Sequence, residues 1–598
     1  MNDFRTNFGD AYYSKLHDLS ESLSESLKYF NIENIYGVGG DYAVNLLAAF
    51  GDKFNMRPSS NEMHASFSAC GAAEVNGIGC CLTTYTVGSL PCISAAALAK
   101  TEGLPVIFIS GAPGESEIKK GPLHHSVYCS HDWTVDFNTA LNAFKALGIK
   151  AERLQGNRED RRPSIASEQF YKLILHAYTH KEPVYIEIPR DIVFTKVQSI
   201  SLPKKFNEIV EEKLLLDGAQ YIAQEIYSKL KVSKKPVLYI GEKVKSNKKL
   251  IDTIQEFCEK HRIPYATNLF AKGLMDDNSE LSLSYYNGVF SSKATREYIE
   301  NKSDYILELC TGIITQDTSS AFATGETYIN SFENKTILKG TSTQGLDIIE
   351  VFKYLEEMDT PSFKFEETKS VIKTYDGSDS VNFSNICDLL NQHQRNSKES
   401  FIYIPEVGNS FFASLHLETK KSSLIRSWVS NPWYAAMGNS IPYARSICNT
   451  INQNKSGDIP VIITGDGGFH FQLNELIHFL REDLFVVIIL MRNDIFHLGK
   501  GGDCDMYSCS DSRFNYKSLI EAYGGEFMHT DSVEGFNKHF SHCINNKKGI
   551  KFIEIPVGMA EEEQSKEIRL LNLYIKARSG DAESQRKWKE IIWDKNES

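Results

Sequence analysis

Segments that are apolar at nearly every position recur along this chain, separated by segments with helical spacing. Over residues 1 to 195 the strand-like runs IENIYGVGG, GIGCCLTTY, LPVIFISGAP and EPVYIEIP alternate with the helix-like AVNLLAAF and AAALAKTEG. A strand with one wet face alternates apolar and polar residues; these runs do not, so both of their faces are buried. Parallel sheets meet that condition, because crossovers between parallel strands lay helices over the faces. KPVLYIGEK, RIPYATNLF and SDYILELC repeat the pattern over 205 to 362. ESFIYIPEVG, DIPVIITGDGG, LFVVIILMRND and GIKFIEIPVG repeat it over 380 to 560.

The pattern predicts an α/β fold: three consecutive doubly wound αβ domains with mainly parallel sheets, over 1–195, 205–362 and 380–560. A chain of 598 residues has room for them, since single cores stop growing at roughly 250–300 residues. The charged run KKFNEIVEEKLLLDGAQ reads as a connector, and the polar FEETKSVIKTYDGSDSVNFSN as a linker. Residues 561–598 read as a helical C-terminal tail, two amphipathic helices broken at Gly580 with Asp581 as N-cap. Its Ile568, Leu571, Trp588 and Ile591 are expected to pack on the same protein.

Composition removes several classes of function. A net charge of −12 without a basic stripe argues against a nucleic-acid partner. The 12 cysteines are scattered and form no CxxC pair, which suits reduced thiols in a cytoplasmic protein. MNDFRTNFGDAYYSKL lacks the apolar core of an export signal, and LFVVIIL is too short to span a bilayer, so no membrane association is expected. GVGGDY resembles a dinucleotide fingerprint, but its sixth position is Tyr42, and HLGKGG lacks the upstream glycine of a P-loop.

GDGGFHFQLNELIHFLREDLFVVIILMRND, residues 465 to 494, carries the chemistry. Ligands of a parallel αβ sheet sit at the carboxyl ends of its strands. IPVIIT is such a strand, and GDGG is the turn at its end, leading into the helix-like FQLNELIHFL. Glycines let a backbone approach a phosphate closely, and a helix start favours anions. Asp466 offers a hard oxygen ligand, and LFVVIIL returns Asn493 to the same edge as a second. With a backbone carbonyl and phosphate oxygens they make a Mg²⁺ site. Alone, GDGG reads as a tight turn and Asn493 as a strand-end cap; together they point to a metal and a diphosphate.

GDG followed by Asn493 resembles the diphosphate motif of thiamine-diphosphate-dependent enzymes. GVGGDYAVNLL, SSNEMHASFSACGAAEVNG, TTYTVGSL, PVIFISGAP and GPLHHSVY resemble the 2-oxo acid decarboxylase branch, as do GNSFF and MGNSIPYA. The middle domain matches weakly, and the tail beyond about residue 560 falls outside the resemblance.

That resemblance implies thiamine diphosphate and Mg²⁺ as cofactors. It assigns the pyrimidine to 1–195 and the diphosphate to 380–560, in a homodimer or homotetramer with active sites at the subunit interface. Asp466, Asn493 and the Ile495 carbonyl would hold the metal, and Gly408, Asn409, Gly467 and Gly468 would line the diphosphate. Glu62 matches the glutamate that hydrogen-bonds the pyrimidine ring nitrogen, although Ser59 to Glu62 also fits a capping box. By the offset on GNSIP, Met437 matches the wedge between the cofactor's rings and the Ala435 carbonyl the acceptor of its amino group. Asp41, His124 and His125 match the proton-handling group beside the reacting carbon; by themselves Asp41 reads as a helix cap and the His pair as a solvated loop.

The implied reaction is non-oxidative decarboxylation of a 2-oxo acid through a C2 carbanion and enamine, releasing CO₂ and an aldehyde. One departure bears on it. After Asn493 the decarboxylases continue to a glutamate, whereas here NDIFHLGK places Ile495 at their glycine, His497 at a threonine-like position and Gly499 at the glutamate. Either His497, Asp503 or Asp505 substitutes, or the enamine passes to a second aldehyde or ketone and the protein is a carboligase that makes acyloins. A paralogue that binds the cofactor without catalysis is the third reading.

Overall fold

The computed structural model describes residues 16–593 except 122, 129–133, 157–164, 199–201, 203–211, 246, 312–327, 340–346, 367–372, 496–510 and 559. Three sheets, each parallel throughout, organise the described residues. The first holds β1 (Asn34–Gly37), β2 (Asn55–Pro58), β3 (Gly79–Thr83), β4 (Val106–Ala112), β5 (Lys150–Arg153) and β6 (Val184–Pro189), in the order β2-β1-β3-β4-β6-β5. The second holds β7 (Pro236–Ile240), β8 (Tyr265–Thr267), β9 (Ser282–Tyr285), β10 (Tyr305–Leu309) and β11 (Lys335–Leu338), ordered β9-β8-β7-β10-β11. The third holds β12 (Phe401–Pro405), β13 (Ile459–Gly465), β14 (Val486–Arg492), β15 (Glu526–His529) and β16 (Ile550–Pro556), ordered β12-β13-β14-β16-β15.

Every residue of β4, β6, β7, β10 and β12 is buried, which is the two-sided burial their unbroken apolar runs require. Burying each such Val, Ile or Leu is worth about 1.5–3 kcal/mol, so the sheets are the main stabilising element.

Residues 1–210 form one compact unit and 211–598 another. In the larger unit the second and third sheets are joined by buried polar contacts. The Arg426 guanidinium, 1% exposed, donates to the Lys272 carbonyl at 2.9 Å, and Lys272 Nζ donates to the Leu417 carbonyl at 2.8 Å. Asp277 Oδ2 accepts from Thr419 Oγ1 at 2.9 Å. Each satisfies a group whose unpaired burial would be costly.

The segment expected to be a linker is only partly one. Its residues 367–372 lie outside the described residues, but Val381 and Phe383 are buried in the third sheet's core, and Val381 N donates to the Asp531 carbonyl at 2.9 Å. Apolar residues spaced two apart in a polar stretch were enough to anchor it. The connector read at 204–220 likewise overlaps a helix, Glu212–Val232. The tail forms two helices, Lys566–Arg578 and Ala582–Trp593. Gly580 takes φ +98° between them, and Asp581 Oδ2 accepts from Ser584 N at 2.7 Å, the predicted cap. Ile568 and Leu571 join the third sheet's core, while Trp588 and Ile591 pack with Val289 and Phe290.

Among the described residues nine cysteines are free thiols. No helix among those residues is long and apolar enough to cross a membrane.

Candidate active site

β13 and β14 run side by side with Gly465 opposite Met491, so Asp466 and Asn493 emerge from the carboxyl ends of neighbouring strands. Asp466 is 2% exposed and opens the short helix Asp466–His470. The expected single helix after GDGG is instead broken into Asp466–His470, Leu473–Leu476 and Ile477–Arg481. Asn493 Oδ1 accepts from Ile495 N at 3.1 Å, and Asp494 takes φ +56°, turning the chain directly after the strand. Asp466 and Asn493 thus present hard oxygen donors at one sheet edge, the donor chemistry that Mg²⁺ requires.

Space for an anion exists at this edge. A Cβ on Gly408, which has φ +112°, would meet nothing within 4 Å, and one on Gly465 would meet only the Met491 carbonyl at 4.0 Å. Asn409, next to Gly408, is 9% exposed, and its buried Oδ1 has no hydrogen-bond partner among the described residues. A buried amide with an unused polar atom beside open backbone fits a polar ligand such as a diphosphate.

Ala435 takes φ +55°, a left-handed conformation that costs a non-glycine residue roughly 1–2 kcal/mol. Asn431 holds it there: its backbone carbonyl accepts from Ala435 N at 2.9 Å, and its Oδ1 accepts from Ala436 N at 2.6 Å. Met437 follows, half-buried.

Arg492 organises the far side. It donates to Asp494 at 2.7 Å, to Glu554 at 2.7 Å and to the Ser512 carbonyl at 2.7 Å, and its guanidinium lies over the Tyr516 ring. Burial disfavours its charge, but the hydrogen bonds from Arg492 to Asp494 and Glu554 raise its pKa above the ordinary value. His470 Nε2 lies 2.9 Å from the Tyr516 hydroxyl, and burial lowers its pKa against the partial support of Asp466. His497 and Gly499, with Asp503 and Asp505, lie outside the described residues.

The smaller unit carries the other constellation. The helix Glu62–Asn76 is capped by Asn61, whose side chain accepts from His64 N at 2.8 Å. This corrects the Ser59 capping box: Glu62 is the first helical residue rather than the third, so its half-buried carboxyl is not engaged in closing the helix. Asp41 is not a helix cap either: Gly40 stands at the cap position, and Asp41 is the first residue of a 3-10 turn, Asp41–Ala43, that runs into the helix Val44–Phe50. Its carboxylate lies 2.5 Å from His124 Nε2 and 3.3 Å from His125 Nε2, with Thr84 Oγ1 at 3.4 Å. Tyr42 stacks on His124 at 5.2 Å between centroids, and His125 holds φ +67°. Burial pushes the Asp41 carboxyl up, but the His124 hydrogen bond, the Tyr42 amide and the charges of both imidazoles together hold it below the usual range. A carboxylate ionised beside two imidazoles can orient and exchange protons near neutral pH.

The strand ends of the larger unit are of the kind that holds a diphosphate through a divalent cation, and the Asp41 group of the smaller unit is of the kind that handles protons. Comparison with known proteins agrees. Family models described as the N-terminal thiamine pyrophosphate binding domain, the central domain and the C-terminal thiamine pyrophosphate binding domain of thiamine pyrophosphate enzymes match residues 17–131, 223–338 and 406–555. The probable pyruvate decarboxylase Pdc101 of Schizosaccharomyces pombe is 24% identical, covering 90% of this chain and 93% of its own. Pyruvate decarboxylase 3 of Arabidopsis thaliana is 24% identical, covering 92% of each chain. The thiamine metabolism regulatory protein THI3 of Saccharomyces cerevisiae is 22% identical, covering 92% and 93%. With all three domain models matched in order, the chain belongs to the thiamine-diphosphate-dependent 2-oxo acid decarboxylase family.

Glu406, Asn431, Gln472 and Arg492 take part in building this edge and were not singled out from the sequence. Only GNSFF, which begins two residues after Glu406, signalled that its loop mattered.

Proposed function

We propose that the protein is a thiamine-diphosphate- and Mg²⁺-dependent decarboxylase that converts a 2-oxo acid to CO₂ and an aldehyde. The observation that carries this reading is the emergence of Asp466 and Asn493 from adjacent strand ends beside the open backbone of Gly408 and Gly465. When bound, thiamine diphosphate supplies the carbon nucleophile and the electron sink for loss of CO₂. Asp466, Asn493 and the Ile495 carbonyl bind Mg²⁺, while Gly408, Asn409, Gly467 and Gly468 let the diphosphate approach. The Ala435 carbonyl and Met437 orient the ring system. Glu62 hydrogen-bonds the pyrimidine, and its carboxyl is available because Asn61 caps the helix. Asp41 orients His124 and His125, which hold and deliver the proton that the product requires. Glu62 and Asp466 come from different copies of the chain, so the active form is a homodimer or homotetramer, cytoplasmic and free of nucleic acid.

Carboligation to an acyloin is the second reading, favoured by Gly499 where the family carries a glutamate. A relative named as a regulatory protein favours the third, a cofactor-binding paralogue without turnover. One assay separates them: protein, Mg²⁺ and thiamine diphosphate are incubated with a panel of 2-oxo acids, and CO₂, aldehyde and acyloin are quantified. CO₂ with matching aldehyde is expected. Acyloin with little aldehyde would establish the ligase, and no product from any 2-oxo acid would establish the paralogue.

A further inference from the structure

Glu406 follows β12 directly and is fully buried. Among the described residues its carboxylate accepts five hydrogen bonds, none of them from Lys, Arg or His. Oε1 accepts from Val407 N at 3.1 Å and Gly438 N at 3.0 Å. Oε2 accepts from Ser440 N at 3.2 Å, Ser440 Oγ at 2.8 Å and Gln472 Nε2 at 2.6 Å. Gln472 completes the arrangement, donating to the Gly468 carbonyl at 2.9 Å and accepting from Ile441 N at 2.9 Å.

These contacts replace an ordinary helix cap. The helix Ser440–Asn454 has Asn439 at its N-cap position without a side-chain cap bond, so its first amides are met by Glu406 and Gln472 from other segments. A carboxylate at a helix start is favoured by the helix dipole, which offsets part of the cost of burying it. Glu406 also packs against the GDGG turn: a Cβ on Gly468 would lie 2.4 Å from Glu406 Cγ, so that position accepts only glycine.

Three segments therefore meet on one side chain: the loop of Gly408 and Asn409, the loop of Ala435 to Gly438, and the turn of Gly465 to Gly468. We propose that Glu406 is a positioning residue for the cofactor, setting the spacing of these three segments, which on the function proposed above surround thiamine diphosphate. It touches neither substrate nor cofactor and acts through the amides it holds.

Glu406→Gln tests this, because its amide sets an N–H donor against donors on one side of the cluster. The full chain is used, with two readouts: hydrogen exchange of the cofactor-free protein, and the Kd for thiamine diphosphate at saturating Mg²⁺. Exchange over residues 436–441 should speed up by about tenfold or more, and the Kd should rise by about tenfold or more, as for loss of a hydrogen bond to a charged group. Exchange in β12 and β13 should stay as in wild type. A Kd within about twofold of wild type, well under the effect of such a lost bond, overturns the proposal. So does loss of protection throughout β12 and β13, which would mark a defect of folding rather than of position. If Glu406→Gln does not fold, Ser440→Ala removes one donor to Glu406, together with the hydroxyl that accepts from Gln472 Nε2 at 3.1 Å, and should raise both quantities about threefold, and no change in either overturns the proposal. Neither readout uses turnover, so a wild-type protein that binds the cofactor but forms no product counts against decarboxylation and leaves this result standing.

Discussion

The Asp41 carboxylate lies 2.5 Å from His124 Nε2 and 3.3 Å from His125 Nε2, so one acid holds two adjacent imidazoles whose centroids lie 4.4 Å apart with the rings tilted at 54°. Asp41→Asn keeps the size of the side chain and removes the charge that orients both rings. Turnover at saturating substrate should fall by about 10² to 10⁴, the usual contribution of general acid–base catalysis, with cofactor affinity unchanged. Product formation and cofactor titration on the same preparation check this.

The same carboxylate makes stability depend on pH on the acid side. Its folded pKa is depressed, so its contribution is complete above the unfolded value of about 3.9 and is lost as pH falls through the lower folded value. Urea unfolding between about pH 3 and pH 6 should show wild type losing more stability than Asp41→Asn below about pH 4, and the two curves running parallel above it.

Asp466→Ala should abolish retention of thiamine diphosphate after desalting in Mg²⁺. A diphosphate without its cation would leave uncompensated charge in a site where Asp466 itself is 2% exposed. Cofactor content by mass spectrometry, with binding as tight as wild type, would refute the assignment.

Asn61→Ala should destabilise the unit that carries Glu62 by about 1 kcal/mol through loss of the bond to His64 N. Chemical denaturation of Asn61→Ala beside wild type checks this.

Gly499→Glu should raise the ratio of aldehyde to acyloin by returning a proton donor to the position at which the family carries one, with an upper effect on the order of 10² to 10⁴. Cofactor affinity equal to wild type is the precondition, since glycine may be replaced only where the backbone tolerates a side chain. With affinity intact and an unmoved ratio, His497→Ala is the next variant for the same product assay.

What the sequence determined alone was whatever depends on residues near one another in the chain. β1, β3, β4, β6, β7, β8, β10, β12, β13, β14 and β16 were legible because most are interior strands, apolar on both faces. The five strands not read, β2, β5, β9, β11 and β15, all lie at sheet edges, where one side lacks a strand neighbour and NMRP, KAER, SLSY, KTIL and EFMH need no unbroken apolar run. Asp466 and Asn493 were legible because each stands directly after an apolar strand, and parallel pairing then brings their ends together. The tail's break at Gly580 and cap at Asp581 are local in the same sense. Tertiary structure alone decided which polar groups far apart in the chain meet. Glu406 meets Ser440 and Gln472, 34 and 66 residues away, and Asp41 meets His124 across 83. A carboxylate has no periodicity to announce its donors; which amides it satisfies is settled only when folding removes water and each buried polar atom must find a partner.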